Sequence, residues 1–159
     1  MKEESKKTIL LVLHNVRSVH NVASIFRTAD AAGVAKIYLT GYTPNPIDRF
    51  GRKRKDFTKV SLGAEKTVPW EYRTNAGALI RELRKNGVFC VAVEQARGSV
   101  DYRKIPRKQK IALIFGNEVR GLSPSILKKC DCIAEIPMRG AKESLNVSVV
   151  AGIVLFRFA

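Results

Sequence analysis

The feature that most constrains the fold is an apolar stretch near the C-terminus, from Leu145 to Phe158. Its fourteen residues suit a buried helix and fall short of the roughly 20 that span a bilayer. Ser144 is the predicted N-cap, because its hydroxyl can accept from a free amide of the first turn. A helix that is apolar on every side must be covered by protein all round. The small residues Ala151 and Gly152 in its middle allow another backbone to come close. In a domain of this size, we expect that backbone to belong to a second subunit.

Polar residues crowd the start of this stretch. Ser144, Asn146 and Ser148 lie where the free N–H groups of a helix also point outward, and the loop before them is rich in charge, proline and glycine. Two interpretations stay open. In the first, the polar groups only cap the helix or form hydrogen bonds within the core. In the second, they form part of a ligand site.

Short apolar runs alternate with helical periodicity along the rest of the chain. This pattern predicts an α/β fold with a mainly parallel sheet flanked by helices. The predicted strands are Thr8 to Leu13, Lys36 to Thr40, Val88 to Val93, Ile111 to Phe115 and Cys132 to Ile136. The other predicted helices are Val22 to Ala32, Asn75 to Asn86 and a short one opened by Ser123-Pro124. With 159 residues and no internal boundary, we expect one domain.

A formal net charge of +15 favours acidic partners, nucleic acid first and anionic membrane second. No signal peptide is expected, because the charged start from Met1 to Lys7 leads into only a short apolar run. The cysteines Cys90, Cys130 and Cys132 are odd in number and lack a second Cys or His pair. They predict neither a disulfide framework nor a metal site. We therefore expect a cytoplasmic protein with no membrane and no metal.

Two basic segments lie in predicted loops, Arg49 to Phe57 and Arg103 to Lys110, and the first has two phenylalanines among its cations. Cations attract a phosphate backbone and an aromatic ring can stack on an unpaired base, although many charge runs are only solvated faces. Two such segments in a chain of this charge favour contact with RNA or DNA. The candidate RNA-binding residues are Arg49, Arg52, Lys53, Arg54 and Lys55.

In a parallel sheet, ligand chemistry belongs at the carboxyl ends of the strands. Gly116 and Gly121 follow a predicted strand, where they allow tight turns and close backbone approach to a ligand, or serve only the loop. No G-x-G-x-x-G follows the first strand, and no G-x-x-x-x-G-K-[ST] occurs. A dinucleotide or a nucleoside triphosphate is therefore unsupported.

Three stretches together resemble the signature motifs of the SPOUT class of RNA methyltransferases. They are His20 to Ala29 (HNVASIFRTA), Leu113 to Leu122 (LIFGNEVRGL) and Ile136 to Phe156, and the third is the most specific. In this order they are similar to the TrmH-like ribose 2′-O-methyltransferases over essentially the whole chain. The resemblance implies a deep trefoil knot at the C-terminal end, with S-adenosylmethionine in the knotted loops. It also implies a homodimer with the first and last helices at its interface.

The same resemblance implies roles for individual residues. The cofactor would be held by Gly116, Gly121, Ile136, Met138 and Leu145. The catalytic arginine would be Arg27, surrounded by Asn21, Glu118, Ser144 and Asn146. Because an arginine essentially never loses its proton, we interpret Arg27 as a cation that stabilises the developing alkoxide rather than as the general base. An ion pair of Arg27 with Glu118 or Asp30 is the structural alternative.

Larger relatives of this kind carry a separate RNA-binding domain or helical extensions, and we expect neither here. Substrate choice would then depend on the catalytic domain, chiefly the loop from Arg49 to Lys59, or on a partner protein. Transfer RNA and ribosomal RNA both stay open as substrates, with a lean to transfer RNA. A non-catalytic RNA-binding protein and a base methyltransferase are the alternative functions. The joint presence of the five catalytic candidates favours an enzyme, and the resemblance to the 2′-O branch favours ribose.

Overall fold

A computed structural model describes residues 6–159 and contains a seven-stranded sheet whose neighbouring strands are all parallel. The strands are β1 (Thr8–His14), β2 (Lys36–Thr40), β3 (Trp70–Arg73), β4 (Phe89–Val93), β5 (Val100–Asp101), β6 (Lys110–Phe115) and β7 (Cys132–Glu135). Their order across the sheet is β3-β2-β1-β6-β4-β7-β5. Because all strands are parallel, their carboxyl ends meet at one edge, where open α/β sheets bind their ligands.

Six helices connect or follow these strands in the part of the chain that the structure describes. They are α1 (Val19–Ala32), α2 (Lys55–Ser61), α3 (Ala64–Thr67), α4 (Ala76–Lys85), α5 (Pro124–Leu127) and α6 (Val147–Phe158). Helix α1 begins where the Ser18 side chain accepts a hydrogen bond from the Asn21 amide, and it ends at Gly33 in the left-handed conformation. Its start therefore lies at the carboxyl end of β1, beside the ligand edge.

Each face of the sheet carries its own apolar core. Ile9, Leu11 and Leu13 of β1 belong to the core that includes α1 and α6, whereas Leu10 and Val12 belong to the core that includes α4 and α5. Successive side chains of a strand point to opposite faces, so a strand that is buried on both faces must be continuously apolar. This requirement explains why β1 was readily predicted from its sequence.

The predicted α/β class and mainly parallel sheet are confirmed, and all five predicted strands occur with ends shifted by no more than one residue. Two strands were missed, β3 and β5, which lie at the two edges of the sheet. Their sequences, WEYR and VD, are polar and partly exposed, so they lack the continuous apolar run of a central strand. Helix α1 also begins three residues before the predicted Val22.

The first basic segment was predicted to be a loop, but its end forms the start of α2. Phe57 is fully buried in this helix, and its ring meets Phe26 of α1 edge-on with centroids 5.2 Å apart. One buried aromatic residue therefore fixes the helix, although the sequence around it consists mainly of cations and polar residues. The second basic segment begins in a 3₁₀ turn, Tyr102–Lys104, and is otherwise irregular as far as β6.

The prediction that Ser144 caps the C-terminal helix is wrong. Helix α6 begins at Val147, and its N-cap is Asn146, whose side-chain oxygen accepts from the Ser148 amide at 2.9 Å. Asparagine is at least as good a cap as serine, and Asn146 directly precedes the first helical residue in a non-helical conformation (φ −54°, ψ 138°). Ser144 consequently remains in the preceding loop, where its hydroxyl is not used as a cap.

One side of α6 is not covered within a single chain. Val154 and Leu155 are fully buried, but Val149, Ile153 and Phe156 are exposed, Phe156 to 55%. The predicted all-round cover of this helix is therefore incomplete in the monomer, and an apolar strip remains on its outer side.

None of the helices in residues 6–159 is long and apolar enough to cross a membrane. That part of the chain also contains no group of three or more His, Cys, Asp or Glu side chains that could hold a metal ion. All three cysteines are free.

Candidate active site

A cavity of about 320 Å³ opens at the carboxyl ends of β4, β6 and β7 and at the start of α6. Such a volume lies at the lower end of the range of small-molecule sites. Its lining includes seven of the ten predicted catalytic and cofactor residues, namely Gly116, Glu118, Ile136, Met138, Ser144, Leu145 and Asn146. The sequence motifs that follow β6 and β7 therefore meet in one site.

Glu118 ties the loop after β6 to the start of α1. Its carboxylate accepts hydrogen bonds from the backbone amides of Arg17 and Ser18, both at 3.0 Å, and from Asn21 Nδ2 at 3.2 Å. These partners are about a hundred residues away in sequence. Partial burial raises the pKa of Glu118, but the Arg17 and Ser18 amides stabilise the carboxylate more, so its pKa lies below its usual value. Glu118 is therefore a charged positioning group rather than a free base.

Asn21 extends this connection to the start of α6. Its Oδ1 accepts from Asn146 Nδ2 at 3.1 Å, and Asn146 Oδ1 in turn accepts from the Ser148 hydroxyl at 2.6 Å. Asn21 is buried, although it does not line the cavity itself. The series Glu118–Asn21–Asn146–Ser148 thus joins all three sequence motifs through uncharged amides and one carboxylate.

The turn after β6 depends on two glycines. A Cβ at Gly116 would lie 2.7 Å from the backbone carbon of Gly121, and Gly121 itself has φ +64°. A Cβ at Gly121 would also lie 2.1 Å from Glu94 Oε2, which accepts from the Leu122 amide at 2.9 Å. Gly121, predicted as a cofactor contact, therefore supports the cavity wall from behind and does not line it.

Glu94 was not predicted as a site residue. It follows β4, lines the cavity, and braces the glycine turn from a neighbouring strand. Asn117, inside the second motif, was also missed; its Oδ1 accepts from the amides of Val119 and Arg120, both at 2.9 Å. The only available signal was position, because Glu94 directly follows a predicted strand and Asn117 lies two residues after another, both at the ligand edge.

The charge of the cavity is opposite to that of the chain. Its lining contains three carboxylates, Glu94, Glu118 and Glu135, and neither lysine nor arginine, although the chain carries 29 such cations. Within residues 6–159, Glu135 forms neither an ion pair nor a side-chain hydrogen bond. Apolar groups such as Val93 and Val150 complete the wall. The site therefore suits a ligand with an apolar body and a positive centre.

Arg27 does not line this cavity. Within one chain, Arg27 is therefore not at the centre of the other four catalytic candidates, as the resemblance had implied. Its side chain is exposed on α1 and forms no hydrogen bond or ion pair within residues 6–159. The proposed structural partners are engaged elsewhere, since Asp30 accepts from Thr67 Oγ1 at 2.6 Å and Glu118 holds the start of α1. The alternative in which Arg27 is a paired structural cation is therefore wrong for the described residues.

The basic segment that precedes α2 is held by its own carboxylates. Asp48 accepts from the amides of Phe50 (2.8 Å) and Arg52 (3.0 Å) and pairs with the Arg52 guanidinium at 2.9 Å. Arg49 and Arg52 also lie over the Phe50 ring, 4.8 and 4.9 Å from its centroid. These bonds fix the turn and leave Lys53 without an anionic partner in the part of the chain that the structure describes.

The open parallel sheet with a polar cavity at its strand ends defines an α/β ligand-binding class. The model of the SpoU rRNA methylase family matches residues 8–156. The chain therefore belongs to this family.

Individual relatives agree with this assignment. A Staphylococcus aureus (strain MSSA476) protein assigned to the TrmH family of tRNA/rRNA methyltransferases is 36% identical over 98% of this chain and 60% of its own length. An AdoMet-bound rRNA methyltransferase structure from Sinorhizobium meliloti gives a TM-score of 0.86 at 34% identity, covering 96% of this chain and 56% of its own. The structure of the A. aeolicus TrmH/SpoU tRNA modifying enzyme gives a TM-score of 0.83 at 31% identity. The match covers 98% of this chain and 75% of that enzyme's chain. The chain thus spans about 60% of the length of the curated relatives it matches.

Proposed function

We propose that the protein is an S-adenosylmethionine-dependent RNA methyltransferase that methylates a ribose 2′-hydroxyl. The observation that carries the proposal is the acidic cavity, whose lining holds three carboxylates and neither lysine nor arginine in a chain of charge +15. S-adenosylmethionine carries a positive sulfonium, which supplies an already activated methyl group. A low-dielectric, acidic site favours such a cation over the anionic nucleotides that a basic protein otherwise attracts.

The residues present fit this cofactor. Ile136, Met138 and Leu145 supply apolar wall for an adenosine, and Gly116 leaves its backbone open to a close approach. Gly121 keeps the same turn in shape from behind, and Glu135 has a carboxylate free to face a positive group. The Sinorhizobium meliloti relative bound to AdoMet supports this choice of ligand.

RNA is the proposed substrate, and we propose Arg49, Arg52, Lys53, Arg54 and Lys55 as its contacts. The relatives are described as acting on transfer RNA or ribosomal RNA. A structure described as 2-OH methylation of C/U34 on tRNA, with a TM-score of 0.80 at 25% identity and covering 94% of this chain and 93% of its own, supports ribose and favours transfer RNA. Because Arg52 and Arg54 each pair with an aspartate, Arg49, Lys53 and Lys55 have the charges most available to phosphates.

For the reaction itself, we propose that this chain's residues mainly position and stabilise. The amide series from Asn21 to Asn146 holds the start of α6 against the cavity, and Ser144 is part of the cavity lining. Positioning of this kind supplies much of the rate when the methyl donor is already activated. A phosphate oxygen of the RNA accepts the proton of the ribose hydroxyl, and Arg27 stabilises the alkoxide that forms, since a guanidinium cannot act as the base.

We further propose a homodimer that covers the outer strip of α6, Val149, Ile153 and Phe156. Exposed apolar strips of this kind mark interaction sites. Helix α1 contacts α6, and a Cβ added at Gly152 would lie 3.8 Å from Cγ2 of Thr28, the neighbour of Arg27, so we place Arg27 beside the proposed interface. A shared interface would explain why Arg27 does not line its own chain's cavity.

We also propose that residues 1–159 act as one catalytic domain in the cytoplasm. The trefoil knot stays a prediction.

The test is methyl transfer from radiolabelled S-adenosylmethionine to total transfer RNA and, separately, to ribosomal RNA. The labelled RNA is then hydrolysed in alkali. A ribose 2′-O-methyl group blocks cleavage of the adjacent phosphodiester, so the label should remain in dinucleotides. Label in mononucleotides would indicate a base methyltransferase, and absence of label in both RNAs would contradict the enzyme.

A further inference from the structure

An open basin of about 580 Å³ lies beside the cavity, at the carboxyl ends of β2 and β3. It is lined by Tyr42, Thr43, Asn45, Ile47, Asp48, Arg49, Phe50, Arg54 and Tyr72. We propose that this basin binds an unpaired base of the RNA, next to the nucleotide whose ribose is methylated. The proposal rests on the proposed function and adds a base-binding subsite to it.

Two tyrosine side chains of the basin are anchored at their hydroxyl ends and remain partly exposed. The Tyr72 hydroxyl donates to the Gly41 carbonyl at 2.9 Å, and the Tyr42 hydroxyl accepts from Asn117 Nδ2 at 3.1 Å. Their side chains nevertheless remain exposed, Tyr42 to 58% and Tyr72 to 42%. A ring that is already fixed loses little freedom when a base stacks on it, so both rings suit stacking.

One residue of the cavity, Asn117, contacts the basin. Asn117 lines the cavity, donates from Nδ2 to the Tyr42 hydroxyl, and donates to the Asn15 carbonyl at 3.1 Å. Asn15 in turn accepts from the Tyr42 amide through its side chain at 3.1 Å. The two sites are therefore adjacent and rigidly connected, as required for neighbouring nucleotides of one strand.

The basin also offers a hydrogen-bond acceptor and positive charge. Asn45 Oδ1 is the one buried side-chain oxygen or nitrogen in residues 6–159 that has no hydrogen-bond partner. A buried acceptor without a partner is unfavourable, so a donor on a bound base that reached Asn45 Oδ1 would remove this cost. The exocyclic amino groups of adenine, cytosine and guanine are such donors, whereas uracil has no amino group and donates only from its ring N3–H. Arg49 at the rim supplies charge for the adjoining phosphate.

Phe50 has a different role from the two tyrosines. Two guanidiniums, those of Arg49 and Arg52, lie over its ring, so it holds cations in place rather than receiving a base. Stacking is therefore assigned to Tyr42 and Tyr72.

The test measures fluorescence anisotropy of the full-length protein with a short labelled single-stranded RNA and with an abasic ribose-phosphate strand of the same length. Wild type should bind the RNA about tenfold more tightly than the abasic strand, as expected for one stacked base. Tyr42→Ala should reduce this difference to the part that Tyr72 contributes, and Tyr42→Phe, which keeps the ring, should retain it in full. Equal loss in both variants would assign the effect to the Asn117 hydrogen bond and overturn the stacking, as would equal wild-type binding of the two strands.

A comparison of oligocytidine with oligouridine tests the acceptor, because these bases have similar ring size. Wild type should prefer oligocytidine, and Asn45→Ala should lose the preference while it keeps the discrimination against the abasic strand. No preference in wild type would overturn the role of Asn45.

Calorimetry with S-adenosylmethionine distinguishes the base-binding proposal from the proposed function. Intact base discrimination without cofactor binding would contradict the methyltransferase and leave the basin supported.

Discussion

The acidic cavity and the basic segment before α2 use hydrogen bonds in different ways. The cavity joins residues far apart in sequence, as in Asn21 to Asn146, which are separated by 125 positions. The basic segment is fixed by contacts within eight residues, such as Asp48 to Arg52 and the Arg54 amide to the Pro46 carbonyl. The cavity therefore exists only in the complete fold, whereas the basic turn carries its geometry in its own sequence. Substitutions in the cavity should impair catalysis steeply, and substitutions in the basic segment should change RNA affinity gradually.

The largest effect is expected at Arg27, which belongs to neither region's hydrogen-bond pattern. Arg27→Ala should lower kcat by about a thousandfold, the upper range for loss of one electrostatic group. The affinity of the variant for S-adenosylmethionine should not change, because the proposed role of Arg27 is at the ribose oxygen and not at the cofactor. Kinetics and calorimetry on the same preparation measure both quantities. Arg81→Ala, an exposed arginine of α4, is the matched control. Joint loss of cofactor affinity and activity would contradict the assigned role.

If a second subunit brings Arg27 to the cavity, two inactive variants should complement each other. Co-expression of Arg27→Ala with Asn146→Ala should produce mixed dimers in which one of the two sites is intact. Activity well above that of either variant alone is the expected result, measured after purification through two different affinity tags. Activity no higher than the better single variant would place Arg27 in its own chain's site.

Removal of the N-cap of α6 should be more damaging to activity than to stability. Asn146→Ala is expected to cost about 1 kcal/mol of unfolding free energy, as for other helix caps. Because Asn146 also lines the cavity and holds Asn21, kcat/KM should fall by about a hundredfold. Asn75→Ala removes the equivalent cap of α4, outside the cavity, and should show the stability loss alone. Similar activity in both variants would show that the amide series has no catalytic importance.

In the basic segment, smaller and graded effects are expected. Lys53→Gln should weaken RNA binding equally for all sequences and reduce the slope of log Kd against log salt concentration by about one, as for one lost phosphate contact. Anisotropy titrations at several salt concentrations measure this slope. Lys85→Gln, at the end of α4, is the control and should leave the slope unchanged. A sequence-dependent loss would instead indicate base contact.

The smallest effect concerns the pH dependence of stability at Glu118. Its pKa is lowered in the folded state, so its contribution is complete above the unfolded value near 4.5 and is lost as the pH falls through the lower folded value. The stability difference between wild type and Glu118→Gln should therefore be largest near neutral pH and shrink in acid. Urea unfolding at several pH values tests this. Glu143→Gln, an exposed carboxylate without partners in the described residues, should show no such trend.

The sequence was informative where one physical requirement dominates. Central strands such as β1 are buried on both faces, and that burial is visible as a continuous apolar run. The edge strands β3 and β5 pair on one side only and keep polar side chains, so no comparable pattern marks them. Helix α2 was missed for a related reason, because a single buried aromatic residue, Phe57, anchors it beneath a run of cations.

For the site, the motifs predicted which residues would lie close together, but not which contacts those residues would make. Gly121 is predicted as a cofactor contact, and its role in the turn was not foreseen, because its neighbour Glu94 comes from a strand that is adjacent only in the folded sheet. Tyr42 and Asn117 could not be joined from sequence either, since 75 positions separate them. Contacts of this kind depend on strand order, which local patterns do not encode.

The most direct test of the proposed cofactor site is calorimetric titration of the folded, full-length protein with S-adenosylmethionine. Wild type should bind, and Gly140→Ala should bind equally, because a Cβ at Gly140 meets open space. Gly116→Ala should bind at least about tenfold more weakly, since its Cβ would press on the Gly121 backbone. Absence of binding by wild type at high ligand concentration would contradict the methyltransferase and leave an RNA-binding protein on the same fold.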